Sequence, residues 1–264
     1  MFELLIVGGG KMGAALISGL LAHGSIKPQD LAVLEALADR RHELETEFPG
    51  VTVTSQPVSA QAAVLAVKPA DIVAASTTLA EAGVTRVLSI AAGVSTKALE
   101  EATNHKIAVV RAMPNTPALV RQGASALAPG TIANESDLKW AEEILASVGT
   151  VERVPEALLD AVTGLSGSGP AYVFLMIESL IEGGVLAGIP RVTASRLAIQ
   201  TVLGAATLLA ETLDEPAEAR AAVTSPGGTT AAGLRALEEH ATRSAFIEAV
   251  MAAASRSREL GENR

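Results

Sequence analysis

Apolar residues are distributed differently in the two halves of this 264-residue chain. Up to about Pro155, short apolar runs alternate with segments of helical periodicity. Continuous apolar runs that end at glycine or proline are typical of strands buried on both faces of a parallel sheet. The predicted strands are residues 4–7, 31–34, 51–54, 63–67, 84–91, 107–111, 125–128 and 151–154. The predicted helices are residues 13–23, 38–47, 70–82, 95–103 and 135–147.

After Pro155 the strand pattern stops and long helical patterns follow. Helices are predicted over 170–188, 193–213 and 216–222, with one or two more over 230–260. The first two are apolar nearly all round, and such a helix must be buried on every side. About 110 residues make too small a domain to enclose both helices. We therefore expect a homodimer whose interface is formed by these helices.

A glycine motif connects the first predicted strand to the first predicted helix. Gly8, Gly10 and Gly13 have the spacing G-x-G-x-x-G, with Lys11 and Met12 inside the loop. The first glycine permits a tight turn, the second a close approach of a pyrophosphate, and the third close packing of helix on strand. In this context the motif predicts a dinucleotide site. The fold class is therefore α/β, with a Rossmann-type parallel sheet domain over 1–155 and an all-α dimerisation and substrate domain over 156–264.

The choice between NADH and NADPH depends on the residues that follow the second strand. Glu35 stands about where an acid binds the ribose hydroxyls of NADH, and it would repel a 2′-phosphate. Arg40 and Arg41 begin the next helix and are alternative ligands for that phosphate, or else are solvated. At this point both cofactors remain open.

Two further loops follow predicted strands at the edge where open α/β sheets bind ligands. Val67, Lys68 and Pro69 close the fourth strand, and their main chain is predicted to line the cofactor ribose. A surface position for Lys68 is the alternative. Asn115 lies in a loop stiffened by two prolines, where it is predicted to bind the nicotinamide amide or the substrate, unless the loop is only a rigid surface turn.

A second glycine turn precedes the helical pattern near residue 231. Gly227 and Gly228 can take positive φ, which allows several main-chain N–H groups to converge at a helix N-terminus. Ser225, Thr229 and Thr230 add hydroxyl groups there. This arrangement predicts a pocket for a small anion such as a carboxylate. An ordinary loop with a threonine helix cap is the alternative.

Composition excludes several classes of function. The net charge of −9 and the absence of any basic cluster argue against nucleic-acid binding. There is no cysteine and the four histidines are scattered, so no metal site is expected. The most apolar stretch, 197–210, is shorter than the about 20 residues that span a bilayer. With no signal-peptide pattern at the N-terminus, a cytoplasmic protein that does not bind membranes is expected.

Five segments together resemble the pyrroline-5-carboxylate reductase family. They read GGGKMG, AVKP, RAMPNTPALV, SGSGPAY and VTSPGGTTAAGL, in this order over nearly the whole chain. The resemblance implies a Rossmann domain followed by a helical dimerisation domain, often assembled into decamers. It also implies reduction of 1-pyrroline-5-carboxylate to L-proline with NADPH or NADH, the last step of proline synthesis. Two residues depart from the family pattern: Ala36 after the second strand, and Lys11 in the glycine loop.

The implied substrate is a cyclic imine that carries a carboxylate. The turn over 225–230 is expected to hold the carboxylate, and by resemblance Thr230 is the candidate that hydrogen-bonds the ring nitrogen. Three alternatives remain: a reductase of a homologous six-membered imine, a 3-hydroxyacid dehydrogenase, and a dinucleotide-sensing regulator without catalysis. The second would be expected to place a catalytic lysine in the helical half, and no lysine follows Lys139.

Overall fold

The strands and helices are defined in a computed structural model that describes residues 1–212 and 215–262. The strands are β1 (Phe2–Val7), β2 (Leu31–Leu34), β3 (Thr52–Thr54), β4 (Ala60–Leu65), β5 (Arg86–Ser89), β6 (Ala108–Met113), β7 (Gly123–Pro129) and β8 (Gly149–Arg153). The helices are α1 (Lys11–His23), α2 (Ala38–Glu47), α3 (Ile72–Glu81), α4 (Thr96–Ala102), α5 (Glu135–Ala146), α6 (Leu159–Val162), α7 (Gly169–Leu186), α8 (Arg191–Thr212), α9 (Pro216–Ala222), α10 (Thr229–Glu239) and α11 (Thr242–Glu262).

Strand β1 lies at the centre of the apolar core. Its side chains point alternately to opposite faces of the sheet. Leu4 and Ile6 therefore join one buried cluster, which includes residues of α1 and α5, while Leu5 and Val7 join another, which includes residues of α3 and α4. This two-sided burial explains why the strand reads as a continuous apolar run.

The strands form one sheet in the order β3-β2-β1-β4-β5-β6-β7-β8. All neighbouring pairs are parallel except β6 and β7, which are antiparallel. The order runs in opposite directions from β1, with β2 and β3 on one side and β4 to β6 on the other. Ligands of open α/β sheets bind at the carboxyl ends of the strands at such a point. The predicted fold class is confirmed.

Most predicted elements are present, and their ends shift by a few residues. Helices α2 and α9 have the predicted bounds, whereas β4 begins and ends earlier than the predicted 63–67. Its pairing with β1 sets these bounds, since Phe2 lies opposite Ala60 and Val7 opposite Leu65. The predicted end of α8 at Leu213 lies outside the described residues.

The chain divides into two compact units. The first comprises Met1–Ser168 together with the residues from Met251 onward, and the second comprises Gly169–Val250. The first unit thus includes residues 156–168, which follow the predicted boundary at Pro155. Leu159 of this segment is buried in a small cluster with Ala126 and Ala128 of β7.

Helices α7 and α8 are packed against each other but leave most of their apolar surface exposed. No residue of α7 is buried, and in α8 only Ala194 and Ala198 are buried. Large apolar side chains of α7 are exposed in a single chain: Phe174 is 59% and Leu175 64% exposed. Exposed apolar patches of this kind mark interaction surfaces.

Two helical stretches also satisfy the length and composition of a membrane span. Glu156–Leu186 and Arg191–Thr212 each have a mean hydropathy of 1.3, with 0% and 6% of their most apolar windows buried. The apolar run 197–210 is by itself too short to cross a bilayer, but the helix that contains it extends over Arg191–Thr212, so its length does not exclude a membrane span. Length therefore does not distinguish a membrane span from a protein interface here.

Candidate functional site

The turn after β1 requires glycine at its first position. Gly8 has φ +100°, and a Cβ atom there would lie 2.7 Å from the carbonyl oxygen of Ala66. Its N–H donates to the carbonyl oxygen of Leu34 at 2.8 Å. The loop after β1 is therefore held between the ends of β2 and β4, at the position where the strand order reverses.

The other two glycines of the motif serve different purposes. A Cβ atom on Gly13 would lie 2.1 Å from the carbonyl oxygen of Gly8, so this position fixes how closely α1 approaches the strand. Gly10 is the N-cap of α1, and among the described residues no heavy atom beyond its chain neighbours lies within 4 Å of its Cβ position. The first N–H groups of a helix lack partners within it. Open space at this point suits a pyrophosphate.

Lys11 and Met12 differ in what they present at this loop. The side chain of Lys11 is exposed, whereas that of Met12 packs against the buried cluster on the α1 face of the sheet. Met12 can therefore bind a phosphate only through its main-chain N–H. Lys11 can do so through its main-chain N–H and also through its exposed ammonium group.

Glu35 is held by two main-chain hydrogen bonds. Its Oε2 accepts from the N–H of Gly9 at 2.8 Å, and its Oε1 accepts from the N–H of Leu37 at 2.9 Å. An ionised carboxylate has acceptor sites for about four hydrogen bonds. Each oxygen therefore keeps acceptor capacity for a ligand after it has fixed the loop.

The two arginines after Glu35 are not simply solvated. Arg40 donates from Nε to the carbonyl oxygen of Gly9 at 2.7 Å and pairs with Glu43 at 2.7 Å. Arg41 donates to the carbonyl oxygens of Glu35 and Ala36 at 3.0 and 2.6 Å. Arg41 is thereby directed at the main chain of its own loop.

The segment after β4 lies beside the glycine turn. A Cβ atom on Gly8 would also lie 2.9 Å from Cγ1 of Val67. Lys68 is extended and exposed, and it precedes a 3-10 turn that starts at Pro69. The side chain of Lys68 lies at the surface, as in the alternative considered for it. A main-chain role for Val67, Lys68 and Pro69 stays a prediction.

The side chain of Asn115 has structural partners. Its Oδ1 accepts from the N–H of Ala124 at 2.9 Å, and its Nδ2 donates to the carbonyl oxygen of Ser166 at 3.0 Å. Only 9% of the residue is exposed. The loop after β6 is thereby tied to β7 and to the segment that precedes α7. Ligand binding by Asn115 stays a prediction.

Ser166 belongs to a π-helical turn that the sequence patterns did not reveal. The turn spans Thr163–Gly167, between α6 and α7. The hydroxyls of Thr163 and Ser166 donate to the carbonyl oxygens of Leu159 and Val162. Such local hydroxyl bonds bend helices, and π-turns are frequent at functional sites. The only sequence feature that could have indicated this turn is the Ser-Gly-Ser-Gly sequence over 166–169.

A second interaction missed by the sequence analysis involves Arg111, Glu156 and Thr96. Glu156 accepts from Thr96 through both N–H and hydroxyl, at 2.8 and 2.6 Å, and pairs with Arg111 at 3.0 Å. Burial raises the pKa of the Glu156 carboxyl, but the hydrogen bonds from Thr96 and Arg111 outweigh burial and lower the pKa below its ordinary value. This interaction joins α4 and β6 to the segment after β8.

In the second unit, the turn before α10 has the hydrogen bond and the positive glycine φ of a type II turn. The N–H of Gly228 donates to the carbonyl oxygen of Ser225 at 3.0 Å, across Pro226 and Gly227. Gly227 has φ +69°, which the third position of a type II turn requires. Pro226 occupies the second position, where proline is common.

Positive φ, which both glycines of the turn can adopt, is present at Gly227 and not at Gly228. Gly228 is the N-cap of α10 and is extended, with φ −78° and ψ 174°, because an N-cap takes non-helical, β-region angles. Glycine at this position instead makes room for Ser225, whose Oγ would lie 2.3 Å from an added Cβ. The helix starts at Thr229 without a side-chain cap, so the threonine-cap alternative is wrong.

The start of α10 therefore offers open hydrogen-bond donors. The first N–H groups of the helix have no partner within it. Within the described part of the chain, neither the Thr229 nor the Thr230 hydroxyl has a hydrogen-bond partner. A small carboxylate at this end also gains from the positive end of the helix dipole.

The glycine loop over 8–13, the strand order and Glu35 after β2 together form a site that fits a dinucleotide. They define this chain as a dinucleotide-binding protein of the Rossmann class. The family model described as "NADP oxidoreductase coenzyme F420-dependent" matches residues 3–93. The model described as "Pyrroline-5-carboxylate reductase dimerisation" matches residues 156–260, which supports oligomerisation through the helical half.

Known relatives identify the family. The pyrroline-5-carboxylate reductase of Synechocystis is 46% identical over 98% of both chains, and that of Corynebacterium melassecola is 42% identical over the full length of both. The solved structure of the Coxiella burnetii enzyme has a TM-score of 0.92 at 37% identity over 98% of both chains. That of the Plasmodium falciparum enzyme with NADP bound has a TM-score of 0.84 at 29% identity over 98% of both chains. This chain belongs to the pyrroline-5-carboxylate reductase family.

Proposed function

We propose that this chain reduces 1-pyrroline-5-carboxylate to L-proline, the last step of proline biosynthesis. The observation that supports this most directly is the start of α10, where Gly227 and the uncapped helix leave several N–H groups open to a carboxylate. A dinucleotide-sensing regulator would need the glycine loop after β1 but no second anion site. Membership of the reductase family supports the same substrate.

The substrate carboxylate is held by the main-chain N–H groups of Gly227, Thr229 and Thr230, because Pro226 has no N–H and that of Gly228 donates within the turn. Ser225 and Thr229 add hydroxyl donors at the rim of the turn. A fixed carboxylate orients the five-membered ring and so decides which face of the C=N bond is open to attack. Positioning of two reactants in this way contributes as much as about 7–11 kcal/mol in favourable cases.

Thr230 hydrogen-bonds the ring nitrogen of the imine. The reduced nicotinamide, when bound, supplies a hydride to the imine carbon, and the nitrogen gains a proton. The imine carbon is most electrophilic when that nitrogen is protonated, so a hydroxyl beside it favours the reaction. Thr230 is half-buried in the first turn of α10, and its hydroxyl relays a proton from water.

The apolar faces of α7 and α8 are covered by a second copy of the chain. The exposed side chains of Leu197, Leu203 and Leu208, between 53% and 56% open, are what such an interface would bury. Association of dimers into a decamer, a cytoplasmic location and no contact with membranes complete the proposal. Without a second copy, the exposed apolar faces of α7 and α8 would have to be covered by lipid.

The test is to follow oxidation of NADH and NADPH with 1-pyrroline-5-carboxylate, and with the six-membered homologue in parallel. We expect rapid oxidation with the five-membered imine and much slower oxidation with the homologue. Equal rates would favour a broader cyclic imine reductase, and no oxidation with either imine would contradict the proposal.

A pair of glycine variants connects the activity to the turn. Gly227→Ala places a side chain at φ +69°, at a cost of about 1–2 kcal/mol, and should raise the KM for the imine. Gly233 lies in α10, the helix that follows this turn, and among the described residues nothing outside its own helix backbone lies within 4 Å of its Cβ position, so Gly233→Ala should leave the KM unchanged. Unchanged KM in Gly227→Ala would place the substrate elsewhere.

A further inference from the structure

We infer that Glu35 makes this chain prefer NADH to NADPH. The inference deepens the proposed function, because it concerns the cofactor of that same reaction. The preference rests on the two hydrogen bonds that hold the Glu35 carboxylate and on the partners of the neighbouring arginines.

The position of the Glu35 carboxylate is fixed before any cofactor binds. Gly9 and Leu37 donate to its two oxygens at 2.8 and 2.9 Å. Replacement of Gly9 is itself constrained, because an added Cβ would lie 2.3 Å from Cδ1 of Leu44 and 3.3 Å from Oε2 of Glu35. The carboxylate therefore cannot swing away from the glycine loop without breaking main-chain contacts.

A ribose and a phosphorylated ribose meet this carboxylate differently. A 2′-hydroxyl donates a hydrogen bond to one of the remaining acceptor sites of Glu35. A phosphate monoester carries a charge of about −1.5 to −2 at pH 7 and offers mainly acceptor oxygens. With NADPH, two groups of acceptors with the same sign of charge would face each other.

The two arginines near Glu35 already have partners. The cavity beside the glycine loop measures about 610 Å³ and is lined by Glu35, Asp39 and Glu43 as well as by Lys11 and Arg40. Arg40 is bound to Gly9 and Glu43, and 26% of its side chain is exposed. To bind a 2′-phosphate, Arg40 would have to give up contacts that it makes in the free protein.

Arg41 does not offset the acidic side of this cavity. Its NH1 donates to the carbonyl oxygens of Glu35 and Ala36. These bonds close the turn between β2 and α2 and direct the guanidinium at the main chain. Among the charged residues that line the described cavity, acids outnumber bases, so a dianionic substituent is disfavoured.

The test measures affinity and not only turnover. Binding of NADH and NADPH to the full-length protein is titrated by calorimetry without imine, for the wild type and for Glu35→Ser, Glu35→Asp and Glu45→Gln. The ratio of the two dissociation constants is the readout, because any inactive fraction or general loss of stability affects both cofactors alike. Glu45 is an exposed residue of α2. The control variant Glu45→Gln therefore removes one negative charge without changing the contacts of Glu35.

We expect the wild type to bind NADH at least tenfold more tightly than NADPH. Glu35→Ser should lower that ratio by tenfold or more, since the serine leaves the Gly9 N–H free to bind a phosphate. Glu35→Asp should retain the preference for NADH, and Glu45→Gln should keep the wild-type ratio. Equal affinities in the wild type, or an unchanged ratio in Glu35→Ser, would overturn the inference.

The outcome is separable from that of the proposed reaction. A preference for NADH in binding, together with no imine reduction, would contradict the proposed function and still support the role of Glu35 in cofactor preference. Imine reduction by a protein that binds both cofactors equally would support the proposed function and contradict the role of Glu35 in cofactor preference.

Discussion

A Cβ atom on Gly13 would lie 2.1 Å from the carbonyl oxygen of Gly8. The two glycines thus bring the first turn of α1 against the end of β1, closer than any side chain permits. This contact positions the helix N-terminus over the crevice where the strand order reverses.

The contact predicts that Gly13→Ala destabilises the protein. Overpacking costs typically about 1–3 kcal/mol, and here the obstacle is main chain that cannot rotate aside. Thermal unfolding should show a clear loss in the midpoint temperature. An unchanged midpoint would mean that α1 shifts without cost.

Gly10→Ala should have the opposite profile. Gly10 has φ −64°, and in the described part of the chain nothing beyond its sequence neighbours lies within 4 Å of its Cβ position, so alanine fits the free protein. The methyl group would instead occupy the space of the pyrophosphate. We expect unchanged thermal stability and cofactor affinity lower by about tenfold, or about 1.4 kcal/mol, measured by titration. Unaltered affinity would place the phosphates elsewhere.

Thr230→Ala should lower turnover and leave cofactor affinity unchanged. A hydrogen bond to a charged group contributes about 1.5–3 kcal/mol, which corresponds to about 10- to 100-fold in kcat. Steady-state kinetics together with NADH titration separates the two effects. Thr230→Ser keeps the hydroxyl and should retain most activity, and normal turnover in Thr230→Ala would remove Thr230 from the chemistry.

Glu156 should contribute stability that disappears in acid. The folded-state pKa of Glu156 is lowered by Thr96 and Arg111 despite burial, which raises it. A lowered folded pKa means that the contribution is complete above the unfolded value of about 4.3 and is lost as pH falls through the folded pKa. Glu156→Gln should therefore lower the free energy of unfolding at pH 7 by about 1.5–3 kcal/mol.

The difference between the wild type and Glu156→Gln should narrow as the pH falls below about 4. Denaturant unfolding at a series of pH values measures it. Glu152→Gln removes an exposed carboxylate of β8 and is the matched control. A difference for Glu156→Gln that is independent of pH would show that its charge does not stabilise the fold.

Leu203→Glu should disrupt association of the chain. Leu203 lies on α8 and is 56% exposed, and burial of a leucine stabilises an interface by about 1.5–3 kcal/mol in each copy. Sedimentation of the wild type should show a dimer or a larger assembly, and the variant should shift to smaller species. Leu37→Glu, at a leucine 68% exposed in the first unit, should sediment as the wild type does.

The same samples test the absence of membrane binding. Wild-type protein mixed with anionic lipid vesicles should remain in the supernatant after centrifugation. A monomeric wild type, or one that sediments with vesicles, would contradict coverage of α7 and α8 by a second copy.

Local patterns were sufficient for the elements of the fold. Helix α2 runs over Ala38–Glu47 and α9 over Pro216–Ala222, with the predicted bounds. Their periodicity and the proline at the start of α9 are properties of neighbouring residues. Strand β4 was displaced in the prediction because its ends depend on pairing with β1, which no local pattern records.

The side-chain partners of the site were beyond such patterns. Asn115 and Ser166 are 51 residues apart, and Thr96 and Glu156 are 60 apart. In these cases the type of residue indicated a polar role, but the partner was supplied by a distant segment of the chain. The partners of the Asn115 side chain, Ala124 and Ser166, could not be predicted for this reason.

The amino-acid order alone was enough for the glycine turn after β1, the alternation of strands and helices, the positive φ at Gly227 and the family. These depend on backbone preferences and spacings that are encoded over a few residues. The angles of Gly228, the π-turn before α7 and the hydrogen bonds of Glu35, Arg40 and Arg41 required the folded chain. They arise because packing of the sheet brings distant segments together, and only then is each polar group given its partner.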